Sequence, residues 1–199
     1  MPEMIVLGFT GTFAAGKDTA ISIIAEKYGS KAFEISTANL VREEAAKRGL
    51  SLGRENLQSV SNDMRLKHGA GIFAKMSVEQ INAQHDKTIA LVSGIRTTGE
   101  INELRKAFNK NFFLIAINAP IETRYLRIKQ RARAGENLLS FEQFKQSEER
   151  EMQGAAGPHS QNIAATMKMA DYTIDNNGTE AELNKKIEVL LKNHINKGN

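Results

Sequence analysis

The chain has no cysteine, no tryptophan, three prolines and four histidines in 199 residues. Without cysteine there is neither a disulfide framework nor a thiolate-bound metal site. His68, His85, His159 and His194 stand far apart with no ligand spacing and read as solvated surface positions. Aromatic residues are sparse, nine Phe and three Tyr, and no nucleic-acid motif accompanies them, so no nucleic-acid partner is expected. Charge of one sign is scarce as well. The 27 Lys and Arg face 23 Asp and Glu, interleaved rather than gathered into a basic arm, for a net +4 that favours an anionic partner only weakly. The longest apolar runs, such as FFLIAI over 112–117, are too short to cross a bilayer. The opening MPEMIVLGF has no basic region before its apolar stretch. It does not read as a signal peptide, and a cytoplasmic protein without a membrane partner is expected.

What remains is an alternation of short apolar runs with longer amphipathic ones, the pattern of a parallel sheet covered by helices. Strands are predicted at 4–10, 31–36, 88–94, 111–119 and 171–175. Between them, helices are predicted at 19–28, about 38–49, 54–67, 72–84, 98–108, 121–133 and 141–152, with a closing helix at 179–193. Gly and Pro crowd QGAAGPHSQN (153–162), which is expected to be an exposed loop. The expected fold class is α/β: a three-layer, doubly wound arrangement with a five-stranded parallel sheet. The whole of 1–199 is expected to be a single domain.

The first strand runs into GTFAAGKDT, and Gly11 to Lys17 fits G-x-x-x-x-G-K between a buried strand and a helix. That context marks a P-loop. Glycines let the backbone of Gly11, Thr12, Ala14, Ala15 and Gly16 wrap a phosphate, with N–H groups forming an anion nest beside the positive end of the helix dipole. Lys17 would reach the β- and γ-phosphates. A turn without a ligand would not explain a lysine opening a helix, where the dipole disfavours it.

Lys17 is followed by Asp18 and only then by Thr19. AGKDT resembles the Gly-Lys-x-Thr loop of nucleoside monophosphate kinases. The resemblance implies that Thr19 touches the nucleotide phosphates, that ATP is the donor and that Mg2+ is held largely through water. Asp18 either orients a metal-bound water or caps the helix.

EISTANLVREEAAKRG (34–49) resembles the acceptor segment of adenylate kinases, which implies that Thr37 and Arg42 meet the acceptor, with Arg42 on its phosphate. The alternative for Arg42 is a solvated helix arginine beside a Glu. SGIRTTGE (93–100) resembles the Asp-Gly-x-Pro-Arg segment of the same kinases and places Arg96 at a second acceptor position. Here Pro is missing, and Ser93 stands where the family has an Asp that steadies magnesium-bound water. Asp18, Thr19 and Ser93 are therefore the candidate metal contacts, all open to acting through water.

In ETRYLRIKQRAR, Arg124, Arg127 and Arg131 share one helix face, a stripe that suits an anion or else a solvated face with Glu partners. The resemblance implies that arginines at the root of a lid neutralise the transferring group, and Arg127 and Arg131 are the choices. The lid itself would be about 131–140, and the acceptor-binding helices about 37–84. ADYTIDNNGTEAEL resembles the adenine-side loop of dephospho-CoA kinases, so Asn176 and Gly178 would pass the base, unless they simply form an Asn-Gly turn.

The resemblance implies a kinase of the nucleoside-monophosphate-kinase-like group, with small-molecule nucleotides as its partners. A phosphate acceptor needs positioning, whereas a hydroxyl acceptor such as dephospho-CoA is helped by a base. STANL offers no acid, and Asp63 is the one candidate substitute. The remaining alternative is a nucleotide-binding switch without kinase activity. Composition does not fix an oligomeric state.

Overall fold

Residues 4–131, 140–153 and 160–195 are described by a computed structural model. The apolar run after Met4 forms β1 (Ile5–Thr10), which has neighbours on both sides and is buried over nearly its whole length. That is why it reads as a continuous hydrophobic stretch rather than an alternating one. β2 (Ala32–Ser36), β3 (Ile89–Ser93), β4 (Phe112–Asn118) and β5 (Tyr172–Asp175) complete a five-stranded, all-parallel sheet in the order β2-β3-β1-β4-β5.

Side chains alternate across the sheet and build two cores. Val6, Ala90, Val92 and Leu114 pack with α2 (Thr37–Lys47), α3 (Arg54–His68), α4 (Ile72–Asn82) and α5 (Thr98–Phe108) through Leu40, Val60, Phe73 and Ile101. On the other face Leu7, Phe9, Leu91, Ile115 and Ile117 meet α1 (Lys17–Tyr28) and α9 (Glu180–Leu190) through Ala20, Ile24, Leu183 and Ile187. The expected three-layer α/β class is the one observed.

α6 (Ile121–Arg131) and α7 (Phe141–Gln153) follow β4. The predicted lid at 131–140 and the Gly-rich loop at 153–162 fall largely outside the described residues. One helix was not expected: α8 (Ile163–Lys168), only six residues long, too short to show a period. Its first turn is held by Asn162, whose side chain accepts from the Ala165 amide. The closing helix also ends earlier than expected, at Leu190, and passes into a π-turn over Leu191–Ile195. Among the described residues no helix is long and apolar enough to cross a membrane.

With β1 central and successive connections leaving it on opposite sides, the strand order reverses beside β1. The crevice at the carboxyl ends of such strands is where α/β sheets collect ligands.

Candidate active site

The turn between β1 and α1 is shaped by residues that no bulkier side chain could replace. Gly11 has φ +129°, and a Cβ there would lie 2.0 Å from the Ile117 carbonyl oxygen. Gly16, at φ +98°, would drive a Cβ to 2.3 Å from Asn176 Nδ2. Ala14 occupies the left-handed region at φ 59° without being glycine, a strain of about 1–3 kcal/mol that functional loops commonly store.

The carbonyls of this turn are held from outside. Lys17 Nζ donates to Gly11 O at 2.8 Å and Thr12 O at 2.6 Å. Arg124 Nη1 donates to Phe13 O at 3.1 Å, and Asn176 Nδ2 to Ala15 O at 2.8 Å. Thr12 Oγ1 donates to Asn118 Oδ1 at 3.3 Å. A peptide whose C=O is bound outward turns its trans N–H the other way, and successive N–H groups so turned make an anion nest.

On the β5 side, Arg127 Nη2 donates to the carbonyls of Asn176 (2.9 Å) and Gly178 (3.3 Å), and Nη1 reaches Ala15 O at 3.4 Å. A cavity of about 220 Å³ is lined here by Gly16, Thr19, Arg127, Asn176, Gly178 and Leu183. Sites for drug-sized ligands start near 300 Å³, so this volume suits a smaller group next to the nest. Thr19 therefore opens on the same cavity as Asn176 and Gly178. The latter two lie in the link from β5 to α9, with Asn176 buried and its backbone N–H donating to Asn118 O at 2.7 Å.

On the β2–β3 side, Arg42 is exposed and donates to Asn39 Oδ1 at 2.7 Å. Arg96 is half-buried, and its Nη1 donates to Gln161 Oε1 at 3.2 Å. The Arg96 backbone is fixed at both ends: its N–H donates to Glu100 Oε2 at 2.7 Å, and its carbonyl accepts from Asn162 N at 2.8 Å. Glu100 is fully buried, completes a capping box with Thr97, and pairs at 3.2 Å with buried Arg65 of α3. The Arg96 loop and the helix α3 are thus tied by one buried carboxylate. Thr37 is buried and spends its proton on Gly94 O at 2.9 Å, linking α2 to the loop that carries Arg96.

The described arginines fall into two sets. Arg48, Arg65, Arg105 and Arg124 each meet a carboxylate. Arg42, Arg96 and Arg127 meet only neutral amide or carbonyl oxygens, so among the described residues their charge is not neutralised. A guanidinium bonded only to neutral oxygens keeps its charge available for an anion.

Two expectations are corrected. The stripe of Arg124, Arg127 and Arg131 does not present three free cations, because Arg124 is buried in an ion pair with Glu148 of α7 and also bonds Ala119 O. The side chain of Arg131 lies outside the described residues. Asp63 is not a free carboxylate: Arg48 and Lys67 bond its two oxygens at 2.7 and 2.9 Å and hold its carboxyl below the ordinary carboxylate range, Lys67 most strongly. Asp18 sits in the first turn of α1, exposed, while Gly16 is the N-cap and no side chain caps it.

The donor set around the nest is all hard oxygen, the Asp18 carboxylate with the Thr19 and Ser93 hydroxyls. Among the described residues no three His, Asp or Glu cluster to grip a metal unaided. That chemistry fits Mg2+ carried by phosphates and water, with few protein ligands. Sequence reasoning missed Asn118, Gln161 and the Glu100–Arg65 pair. Only Glu100 left a signal, the T-x-x-E of Thr97 to Glu100.

The AAA-domain family model matches residues 10–145. A UPF0200/UPF0201 protein of Archaeoglobus fulgidus is 36% identical over 96% of this chain, which spans 56% of that longer relative. A UPF0200 protein of Methanosarcina mazei is 31% identical, over 96% of both chains. Among solved structures, TT1252 from Thermus thermophilus aligns with a TM-score of 0.60 at 16% identity, covering 96% of this chain and 97% of that one. A Sinorhizobium meliloti gluconokinase gives 0.55 at 12% identity, covering 94% and 91%. Aquifex aeolicus shikimate kinase gives 0.53 at 17%, covering 98% and 100%. At these identities the structural likeness concerns the fold.

Proposed function

This chain belongs to the AAA-domain family and to the UPF0200 proteins, and from that premise we propose that it is an ATP-dependent kinase of a small anionic acceptor, foremost a nucleoside or deoxynucleoside monophosphate. The observation that carries the reading is that Arg42, Arg96 and Arg127 meet no carboxylate among the described residues, with Arg127 reaching the Ala15 carbonyl of the turn between β1 and α1.

The nest and Lys17 bind the donor's phosphates, and Lys17 swings from the Gly11 and Thr12 carbonyls onto the β- and γ-oxygens. The 220 Å³ cavity takes the donor base against the Arg127 plane, with the chain at Asn176 and Gly178 along its edge and Thr19 at the phosphates. Arg42 and Arg96 give up Asn39 and Gln161 for the acceptor's anion. A neutral amide partner costs less to leave than a carboxylate. Arg131, at the end of α6, is proposed to reach the transferring group. Asp18, Thr19 and Ser93 are the residues that would hold Mg2+ or its waters, and the ion would supply charge neutralisation between the β- and γ-phosphates. A hydroxyl acceptor such as dephospho-CoA is less well supported, because Asp63 is locked between two cations.

The test is ADP release from ATP and Mg2+ with a panel of nucleoside and deoxynucleoside monophosphates beside dephospho-CoA, with Lys17→Ala as the blank. Stimulation by a monophosphate, lost in that variant and weakened in Arg96→Ala, is the expected result. ATP binding with no stimulation by any acceptor would favour a nucleotide switch instead.

A further inference from the structure

Ser93 stands where the kinase reading wants a carboxylate. Its hydroxyl donates to Glu34 Oε1 at 3.1 Å. The two residues come from adjacent strands, β2 and β3, and lie on the same face of the sheet. Glu34 is in register with Leu91, and Ser93 follows Leu91 by two residues. Leu91 belongs to the core built with α1, so both side chains project toward the layer that carries α1. Glu34 is exposed, and among the described residues it forms no ion pair. Glutamate is disfavoured in strands, and here no ion pair among the described residues balances its charge.

Resting on the kinase reading, we infer that Glu34 supplies, through Ser93, the negative charge that steadies the waters of a phosphate-bound divalent cation. A hydroxyl whose proton is committed to a carboxylate presents only lone pairs on its other side. The carboxylate polarises it and strengthens it as an acceptor toward water on a cation. Ser93 then touches the water, while Glu34 carries the charge and orients the hydroxyl. The acid missing from one strand is restored from its neighbour, with a serine as the spacer. Glu34 is in this sense a positioning residue.

The test reads metal binding rather than turnover. Mn2+ is titrated into the protein–ADP complex, protein in excess, and the free-ion electron paramagnetic resonance signal is followed. Glu34→Gln is expected to raise the apparent Mn2+ dissociation constant about tenfold, the low end for residues acting behind a ligand. ADP affinity without metal should be unchanged. Because Glu34 is exposed, the variant is expected to keep the melting temperature of the parent. Ser93→Asp in the Glu34→Gln background is expected to restore Mn2+ affinity by placing a carboxylate at the hydroxyl position. Equal Mn2+ affinities in parent and Glu34→Gln, with ADP bound by both, would overturn the inference and leave the kinase reading standing. Turnover lost in Glu34→Gln at unchanged Mn2+ affinity would also overturn it, making Glu34 a base for a hydroxyl acceptor. Failure of the parent to bind ADP would sink the donor site, and this inference with it.

Discussion

The two halves of the crevice are built on different principles. On the β4–β5 side the nest is braced by side chains that reach backbone carbonyls from several elements, Arg124, Asn176 and Arg127 among them. On the β2–β3 side the backbone is fixed just as firmly, but the arginine heads rest on neutral amides. On the proposed reading, the donor half would be a mould set in advance, since every nucleoside triphosphate offers the same phosphates. The acceptor half would keep its charge in reserve for an anion whose identity varies.

Removing the charge at the mouth of the mould should cost most. Lys17→Ala is expected to lower turnover about a thousandfold, measured as ADP release, as losing a donor aimed at developing charge does. Next comes the brace. Glu148→Ala leaves buried Arg124 without its anion, which should cost about 3–5 kcal/mol in urea denaturation. It should also loosen nucleotide binding, since Arg124 holds the Phe13 carbonyl.

The sharpest division of the two halves is a pair of variants. Arg96→Ala is expected to raise KM for the acceptor about tenfold with KM for ATP unchanged, and Arg127→Ala to do the reverse. Equal effects on both substrates would erase the distinction. The smallest effect belongs to Asp63. Its carboxyl titrates below the usual 3.8 because Lys67 and Arg48 bond it, so it stabilises the fold at pH above the unfolded-state value. That contribution fades as pH falls through the lower folded value. The stability gap between parent and Asp63→Asn should accordingly close on acidification, in denaturation series from neutral pH to pH 2.

The sheet and most helices were legible because they rest on local signals: buried runs for strands, periodicity for helices, Gly11 and Gly16 at the nest. Arg42 and Arg96 were singled out by a resemblance to adenylate kinases, and the structure leaves both without a carboxylate partner among the described residues. What escaped was decided by tertiary partners. Arg124 and Arg127 lie three residues apart on one helix and look equivalent in sequence. The first meets Glu148 across the fold, the second only carbonyls, and no local pattern separates them. Asp63 looked free because Arg48 and Lys67 reach it from another helix and from the next turn of its own. Glu34 went unnoticed because its meaning depends on strand register, with Ser93 distant in sequence and adjacent in space.

The placement of β5 has a consequence for how the protein comes into being. The residues proposed to meet the acceptor lie between Thr37 and Arg96, early in the chain, while the cavity beside the nest is walled in part by Asn176, Gly178 and Leu183. Synthesis runs from the amino end, so the ribosome delivers the acceptor half and the nest well before that wall. On the proposed reading, a nascent chain halted before Tyr172 would carry the phosphate loop without the wall proposed to seat the base.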